Sequence, residues 1–142
     1  MPDTPQHLAV LANMRSIQYA MNKDKAAWLA LYRDDATLRD PVGVSPLDPS
    51  GLGHKGKAAI EKFWDTVIGP SNITLTPGER CPSGAYHCAV PMRAVNNLGS
   101  GISTTVDMIA VYEVDDNGLI TSMSAYWDWD VMEQQLKKLS FD

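Results

Sequence analysis

Residues Ile102 to Val114 alternate along their whole length, with Ile102, Val106, Met108, Ala110, Tyr112 and Val114 on one side and Ser103, Thr105, Asp107, Ile109, Val111 and Glu113 on the other. Only a strand with one face against a core satisfies a period of two over such a stretch. Asp115-Asp116-Asn117-Gly118 follows as a strong hairpin signal, so residues 119–127 return as an antiparallel neighbour. Residues 72–76 and 85–95 are two further β-rich segments, the second closed by Asn96-Asn97-Leu98-Gly99. Pro91 lies in the middle of 85–95 and cannot donate to a ladder, which predicts a bulge or an edge there. The even-numbered face of the long strand points inward. The other face still carries Ile109 and Val111, so a second copy of the chain is expected to cover it, giving a homodimer.

The first half of the chain has a different period. Thr4-Pro5 can open a helix that runs to about residue 22, with Val10, Met14, Ile17 and Met21 at helical spacing. Asp24 can cap a second helix over 25–32, with Trp28, Leu29 and Leu31 on its buried side. A third is expected over 57–68, with Ile60, Phe63, Trp64 and Val67 on one stripe and Gly69-Pro70 as the stop. A short final helix over 130–139 is capped by Asp130. Helices followed by antiparallel strands predict an α+β fold, a curved sheet wrapped around a long helix and enclosing a pocket. With 142 residues, 44% of them hydrophobic, the chain is expected to form a single domain over 1–142.

Composition narrows the function. Twelve basic against 17 acidic residues give a net charge of −5 with no basic cluster, which argues against nucleic acid and anionic membranes as partners. No apolar run approaches the roughly 20 residues of a membrane span, and the start lacks the pattern of a signal peptide, so a cytoplasmic protein is expected. Cys81 and Cys88 then read as reduced thiols. His7, His54 and His87 are scattered over three segments, and neither a metal site nor a cofactor is expected.

One residue breaks the apolar pattern where chemistry is plausible. In Asp34-Asp35-Ala36-Thr37-Leu38-Arg39-Asp40-Pro41 the alternation puts Asp40 on the side of Ala36 and Leu38. A carboxylate beside hydrocarbon is costly unless hydrogen-bonded or neutral, which makes Asp40 a candidate general base. Asp-Pro also closes strands for backbone reasons alone. The breakers Gly43, Pro46, Pro49, Gly51 and Gly53 after it read as a surface loop, a candidate lid at the pocket rim. By strand phase, Met92, Ala94, Met108, Ala110, Met123 and Trp127 would line an apolar pocket suited to a rigid hydrocarbon, although methionines at such spacing are also ordinary core. Asp107 falls on the outer face, Arg39 and His87 point away from the pocket, and Tyr19 reads as surface.

Tyr32-Arg33-Asp34-Asp35-Ala36-Thr37 with Asp40-Pro41, and Asn117-Gly118-Leu119-Ile120 through Ala125-Tyr126-Trp127, resemble Δ5-3-ketosteroid isomerase within the NTF2-like (SnoaL-like) superfamily. The resemblance covers nearly the whole chain. It implies a cone-shaped, cystatin-like arrangement of three N-terminal helices in a mostly antiparallel sheet, a steroid or similar apolar molecule as ligand, and a shift of a C=C bond with Asp40 moving the proton. It also implies two oxyanion donors, a helix-one tyrosine and a protonated acid, which fall here on Ser16 and Ala110. Loss of one such donor typically costs about 3 kcal/mol of transition-state stabilisation. Tyr32 and Trp64 match other members of the family's tyrosine network and are the candidate replacements, and Trp127 matches a tryptophan packed near the base. Two alternatives remain open at this stage: a non-catalytic binding module for steroids or similar molecules, and another acid–base enzyme on the same cone, of epoxide hydrolase or dehydratase type.

Overall fold

The computed structural model describes residues 7–140, so the expected helix opening at Thr4-Pro5 lies outside the described residues. Helix α1 spans Leu8–Met21 and α2 spans Lys25–Ala30, capped by the Asp24 carboxylate accepting from the Ala27 N–H at 3.2 Å. Strand β1 covers Tyr32–Arg39 and β2 covers His54–Lys55. Helix α3, Lys57–Phe63, widens into a π-helical turn over Trp64–Ile68. Strands β3 (Ile73–Pro77), β4 (Cys81–Ser83), β5 (His87–Gly99), β6 (Ile102–Val114) and β7 (Ile120–Tyr126) follow, and α4 (Trp129–Ser140) ends the described chain.

The strands form one sheet in the order β2-β1-β7-β6-β5-β3, with β4 also paired to β5. The β1–β7 pair is parallel and the others are antiparallel. Helices packed into one curved, mostly antiparallel sheet make the expected α+β cone of the NTF2-like type. The hairpin between β6 and β7 turns on Gly118, whose φ of 82° favours a residue without Cβ. Its neighbour Asp115 accepts from the N–H groups of Asn117 and Leu119.

Three expectations are corrected. The buried face of α1 is Ala9, Ala12, Asn13, Ser16, Ile17 and Ala20, while Met14 and Met21 are 47% and 43% exposed. The buried face is therefore rotated by roughly 100° from the expected stripe. Small side chains let the helix approach the sheet closely, where methionines would hold it off. Tyr19 borders the true buried face and packs partly against the core instead of lying on the surface.

The second helix stops at Ala30, two residues early, because the Leu31 carbonyl accepts the Ile120 N–H at 2.8 Å and Tyr32 begins β1. Pro91 sits where its missing donor predicts, at a break in the sheet: the β5–β6 register runs unbroken from His87–Glu113 to Asn97–Ser103, while on the other side the pairing shifts by one residue between Pro77–Met92 and Cys81–Ala89. A strand residue sends its N–H and C=O to the same side, and the Pro91 carbonyl accepts from the Gly78 N–H at 2.7 Å. The missing donor thus faces the interruption between β3 and β4, where no ladder bond is lost. The long loop after Asp40 is pinned by the Asp48 carboxylate, which accepts from the Gly53 N–H at 2.8 Å and the Ser50 hydroxyl at 3.0 Å.

Ile109 and Asp107 lie on the outer face as expected, Asp107 paired with Arg93 at 2.8 and 3.1 Å. Among the described residues no helix is long and apolar enough to cross a membrane. Cys81 and Cys88 are both free.

Candidate functional site

Asp40 follows the last residue of β1, and the alternation that buries Ala36 and Leu38 carries it onto the same side. Trp127 follows the last residue of β7, the parallel neighbour of β1, with Arg39 opposite Ser124. The two side chains therefore leave the sheet together, and the Trp127 Nε1–H donates to Asp40 Oδ1 at 2.6 Å. Loss of water around the carboxyl pushes its pKa up to about 6, and the Trp127 hydrogen bond opposes the rise. The Val42 N–H donates to the Ala125 carbonyl at 2.9 Å and fixes the exit of the chain just beyond.

Asp40 borders two connected chambers inside the cone, which share Phe63, Val67, Ile73, Ala94 and Met108. The inner one, about 80 Å³, is lined by Ser16, Tyr32, Met92, Ala94, Met108, Ala110, Tyr112 and Met123 among others. The outer one, about 290 Å³, has Trp127 in its wall and is covered by Trp129, Met132 and Leu136 of α4. Every residue expected at the pocket is brought there except Trp64. That indole is buried in an aromatic stack, 5.1 Å from the ring of Trp28, and lines neither chamber. Trp28 in turn packs at 4.9 Å against Tyr32. Arg39 and His87 also stay out of both chambers, His87 lying on the surface 3.5 Å from Glu113.

The polar inventory of the inner chamber is short. The Tyr32 hydroxyl is buried with no hydrogen-bond partner among the described residues. Such an orphaned hydroxyl costs about 1–3 kcal/mol unless something at the site uses it. Burial, with the charges of Tyr112 and Asp40 adding to it, holds the Tyr32 phenol well above its ordinary pKa, so it is a donor at neutral pH. Tyr112 Oη lies 3.5 Å from Ser16 Oγ. Its pKa is raised by burial, while the neighbouring side chains of Ser16 and Asn13 oppose the rise. Asn13 is fully buried: its Oδ1 accepts from Arg80 Nε at 2.8 Å, and its Nδ2 sits 3.7 Å from Met92 Sδ.

Tyr112, Asn13, Arg80 and the α4 trio are absent from the expected site. The even-numbered phase of β6 placed Tyr112 inward and was sufficient to nominate it. Asn13 needed the true face of α1, and Arg80 sits in an irregular segment with no periodic signal. Among the described residues no group of three or more His, Cys, Asp or Glu is placed to hold a metal ion. A desolvated carboxylate facing two phenols across hydrocarbon is suited to moving a proton on and off carbon beside an oxygen that gains negative charge.

The chain belongs to the SnoaL-like domain family, whose model matches residues 15–123. It is similar to a steroid Delta-isomerase of Nocardioides simplex, 37% identical over 102 residues that make up 72% of this chain and 75% of that protein. Among solved structures, the Mycobacterium tuberculosis protein RV0760c superposes with a TM-score of 0.84 at 35% identity, covering 91% of this chain and 97% of that one. A second structure of RV0760c holds estradiol-17beta-hemisuccinate. The Delta 5-3-ketosteroid isomerase of a Mycobacterium species gives a TM-score of 0.82 at 35% identity, over 88% of this chain and 96% of that one. The family expected from Asp40-Pro41 and Ala125-Tyr126-Trp127 is therefore the family found.

Proposed function

We propose that this chain is a steroid Δ-isomerase-type enzyme that brings a C=C bond into conjugation with a ketone by intramolecular proton transfer. Ionised Asp40 takes a proton from the carbon between the ketone and the double bond. The C–H electron pair moves into the dienolate, and the negative charge settles on the ketone oxygen. Tyr32 donates to that oxygen, with Tyr112 as the second donor in place of the groups that Ser16 and Ala110 do not supply. Protonated Asp40 then returns the proton to the far carbon of the double bond, and the dienolate collapses to the conjugated ketone. No net atom is gained or lost.

The observation that carries this reading is the desolvated Asp40 carboxyl, its pKa near 6, at the junction of a chamber holding the unpartnered Tyr32 phenol. Among the described residues its hydrogen-bond partner is the Trp127 indole; Thr66, Ser71, Asn96 and Thr104 line the outer chamber, and around Tyr32 the inner one is lined by phenol, hydroxyl, indole, thioether and hydrocarbon. That setting favours a carbon acid over activation of water, which needs further polar groups to hold the nucleophile. The similarity to a steroid Delta-isomerase and to a steroid-complexed structure supports an apolar, flat ligand.

The test is conversion of a 5-ene-3-ketosteroid to the 4-ene ketone, followed by the absorbance of the conjugated product. Asp40→Asn is expected to lower kcat by at least 10³-fold with an unchanged circular dichroism spectrum. Turnover that survives this substitution overturns the reading. One observation favours a non-catalytic steroid-binding module instead: Ala110 offers no donor where the family has an acid. Tight binding of a steroid without turnover would select that alternative.

A further inference from the structure

We propose that Asn96 and Thr104 form a polar subsite at the far end of the outer chamber, which selects ligands carrying a second oxygen at the end opposite the reacting ketone. The proposal rests on the isomerase reading of the cavity. It narrows the substrate class to flat hydrocarbons oxygenated at both ends.

Strands β5 and β6 wall the cavity with successive inward pairs, Met92–Met108, Ala94–Val106 and Asn96–Thr104. The first pair borders the inner chamber, where Tyr32 and Tyr112 lie, and the last lines the outer one. Hydrocarbon is therefore closed by phenols at one end and by an amide and a hydroxyl at the other. Four residues of extended strand separate Met108 from Thr104, about 13 Å, which matches the length of a fused four-ring skeleton. A ligand whose ketone meets the Tyr32 phenol and whose first rings cross Asp40 thus brings its far end to this pair. Thr104 is 3% exposed, yet its hydroxyl has no partner among the described residues. Valine has the same shape without the polar atom, so a hydroxyl here is a cost unless something in the chamber uses it. Half-buried Asn96 accepts the Asn72 N–H on its Oδ1 at 3.0 Å, and because an N–H can only donate, this contact fixes the orientation of the amide. The Asn96 NH₂ is left without a partner among the described residues. Asn96 then supplies donors, and Thr104 a donor and an acceptor, a set that serves a ketone or a hydroxyl and not a hydrocarbon. The other polar groups lining this chamber are placed differently: Ser71 Oγ donates to the Val67 carbonyl, and Thr66 is exposed. Gln135 fastens α4 to the N–H and C=O of the next residue, Thr105, both at 2.7 Å, so the roof shields this end from water and strengthens the hydrogen bonds made there.

The test compares three 5-ene-3-ketosteroids that differ only at the end opposite the reacting ketone, bearing a second ketone, a hydroxyl or hydrogen there. The readouts are kcat/KM from the absorbance of the conjugated product, and affinity for the three corresponding 4-ene ketones from quenching of indole emission. Both oxygenated compounds are expected to exceed the deoxy one about tenfold in each readout. Thr104→Val removes the hydroxyl and keeps the shape, and should cut that margin to within about threefold; Thr104→Ser should keep most of it. Asn96→Asp retains an acceptor for the Asn72 N–H but replaces the NH₂ by a second acceptor, and is expected to favour the hydroxyl over the ketone about tenfold. Should Thr104→Val not fold, this change of preference in Asn96→Asp decides. Equal handling of the three ligands by the wild type, or a margin unaltered in either folded variant, overturns the proposal and leaves the isomerase reading in place. Absence of turnover with all three refutes the isomerase reading, and the margin in affinity then decides the subsite by itself.

Discussion

A carboxyl group with a pKa of about 6 is roughly nine-tenths ionised at pH 7, yet it holds its proton far more firmly than an ordinary aspartate. Both properties suit the role proposed for Asp40, of first taking a proton from carbon and then giving it back. With Asp40 as base, kcat/KM is expected to rise tenfold per pH unit below about 6 and to level off above it. The Trp127 indole lowers the pKa, so Trp127→Phe should move that midpoint upward, as read from the pH–rate profile. Stability has the opposite sense. Below the unfolded value near 3.8 both states are protonated and the group contributes nothing; as pH rises toward about 6 the unfolded chain ionises first and the folded state loses stability. The full penalty, at most about 3 kcal/mol, is present above pH 6. Asp40→Asn should therefore raise the urea midpoint at pH 8 and leave it nearly unchanged at pH 4. At this scale Asp40 was legible because strand alternation persists one residue beyond β1. Tyr112 was legible as an inward residue but not in the donor role proposed for it, because phase reports a face and not a hydrogen-bond partner.

Helix α4 shows how an element can be fastened by one side chain. Gln135 Oε1 accepts from the Thr105 N–H and its Nε2 donates to the Thr105 carbonyl, both at 2.7 Å, as a neighbouring strand would. Net hydrogen bonds contribute about 1 kcal/mol each, so this latch is worth on the order of 2 kcal/mol to a helix whose Trp129, Met132 and Leu136 roof the outer chamber. Gln135→Ala should speed dissociation of a bound steroid about tenfold or more in stopped-flow and lower amide protection at Thr105. Kinetics matching the wild type would show that the roof is held by apolar contact alone. The strand boundaries were legible to within a few residues because a period of two is hard to counterfeit. The face of α1 was not, because it buries alanines, Asn13 and Ser16 where size alone points to methionines.

The molecule as a whole presents an apolar stretch on the side of the sheet away from the cavity. Ile109 and Tyr126, 46% and 54% exposed, are direct cross-strand partners and border a groove with Pro91 and Arg93. Two copies paired through this face would give the homodimer anticipated from Ile109 and Val111. Ile109→Glu is then expected to halve the mass seen by light scattering while leaving the cavity unchanged, since the neighbouring Ala110 points the other way. A mass that does not respond to the substitution rules this face out. The fold and family were legible at this scale because Asp40-Pro41 and the β7 motif, far apart in sequence, meet where β1 and β7 pair in parallel.

The interrupted rim of the sheet has a consequence for behaviour at high concentration. Beyond β5 the border is divided between β3 and the three residues of β4, with Gly78 packed so close to Pro91 that an added Cβ would lie 2.9 Å from its ring. An incoming chain finds no long row of free amides and carbonyls to copy there. The kink that admits Arg80 toward Asn13 thus also discourages edge-to-edge stacking into fibrils.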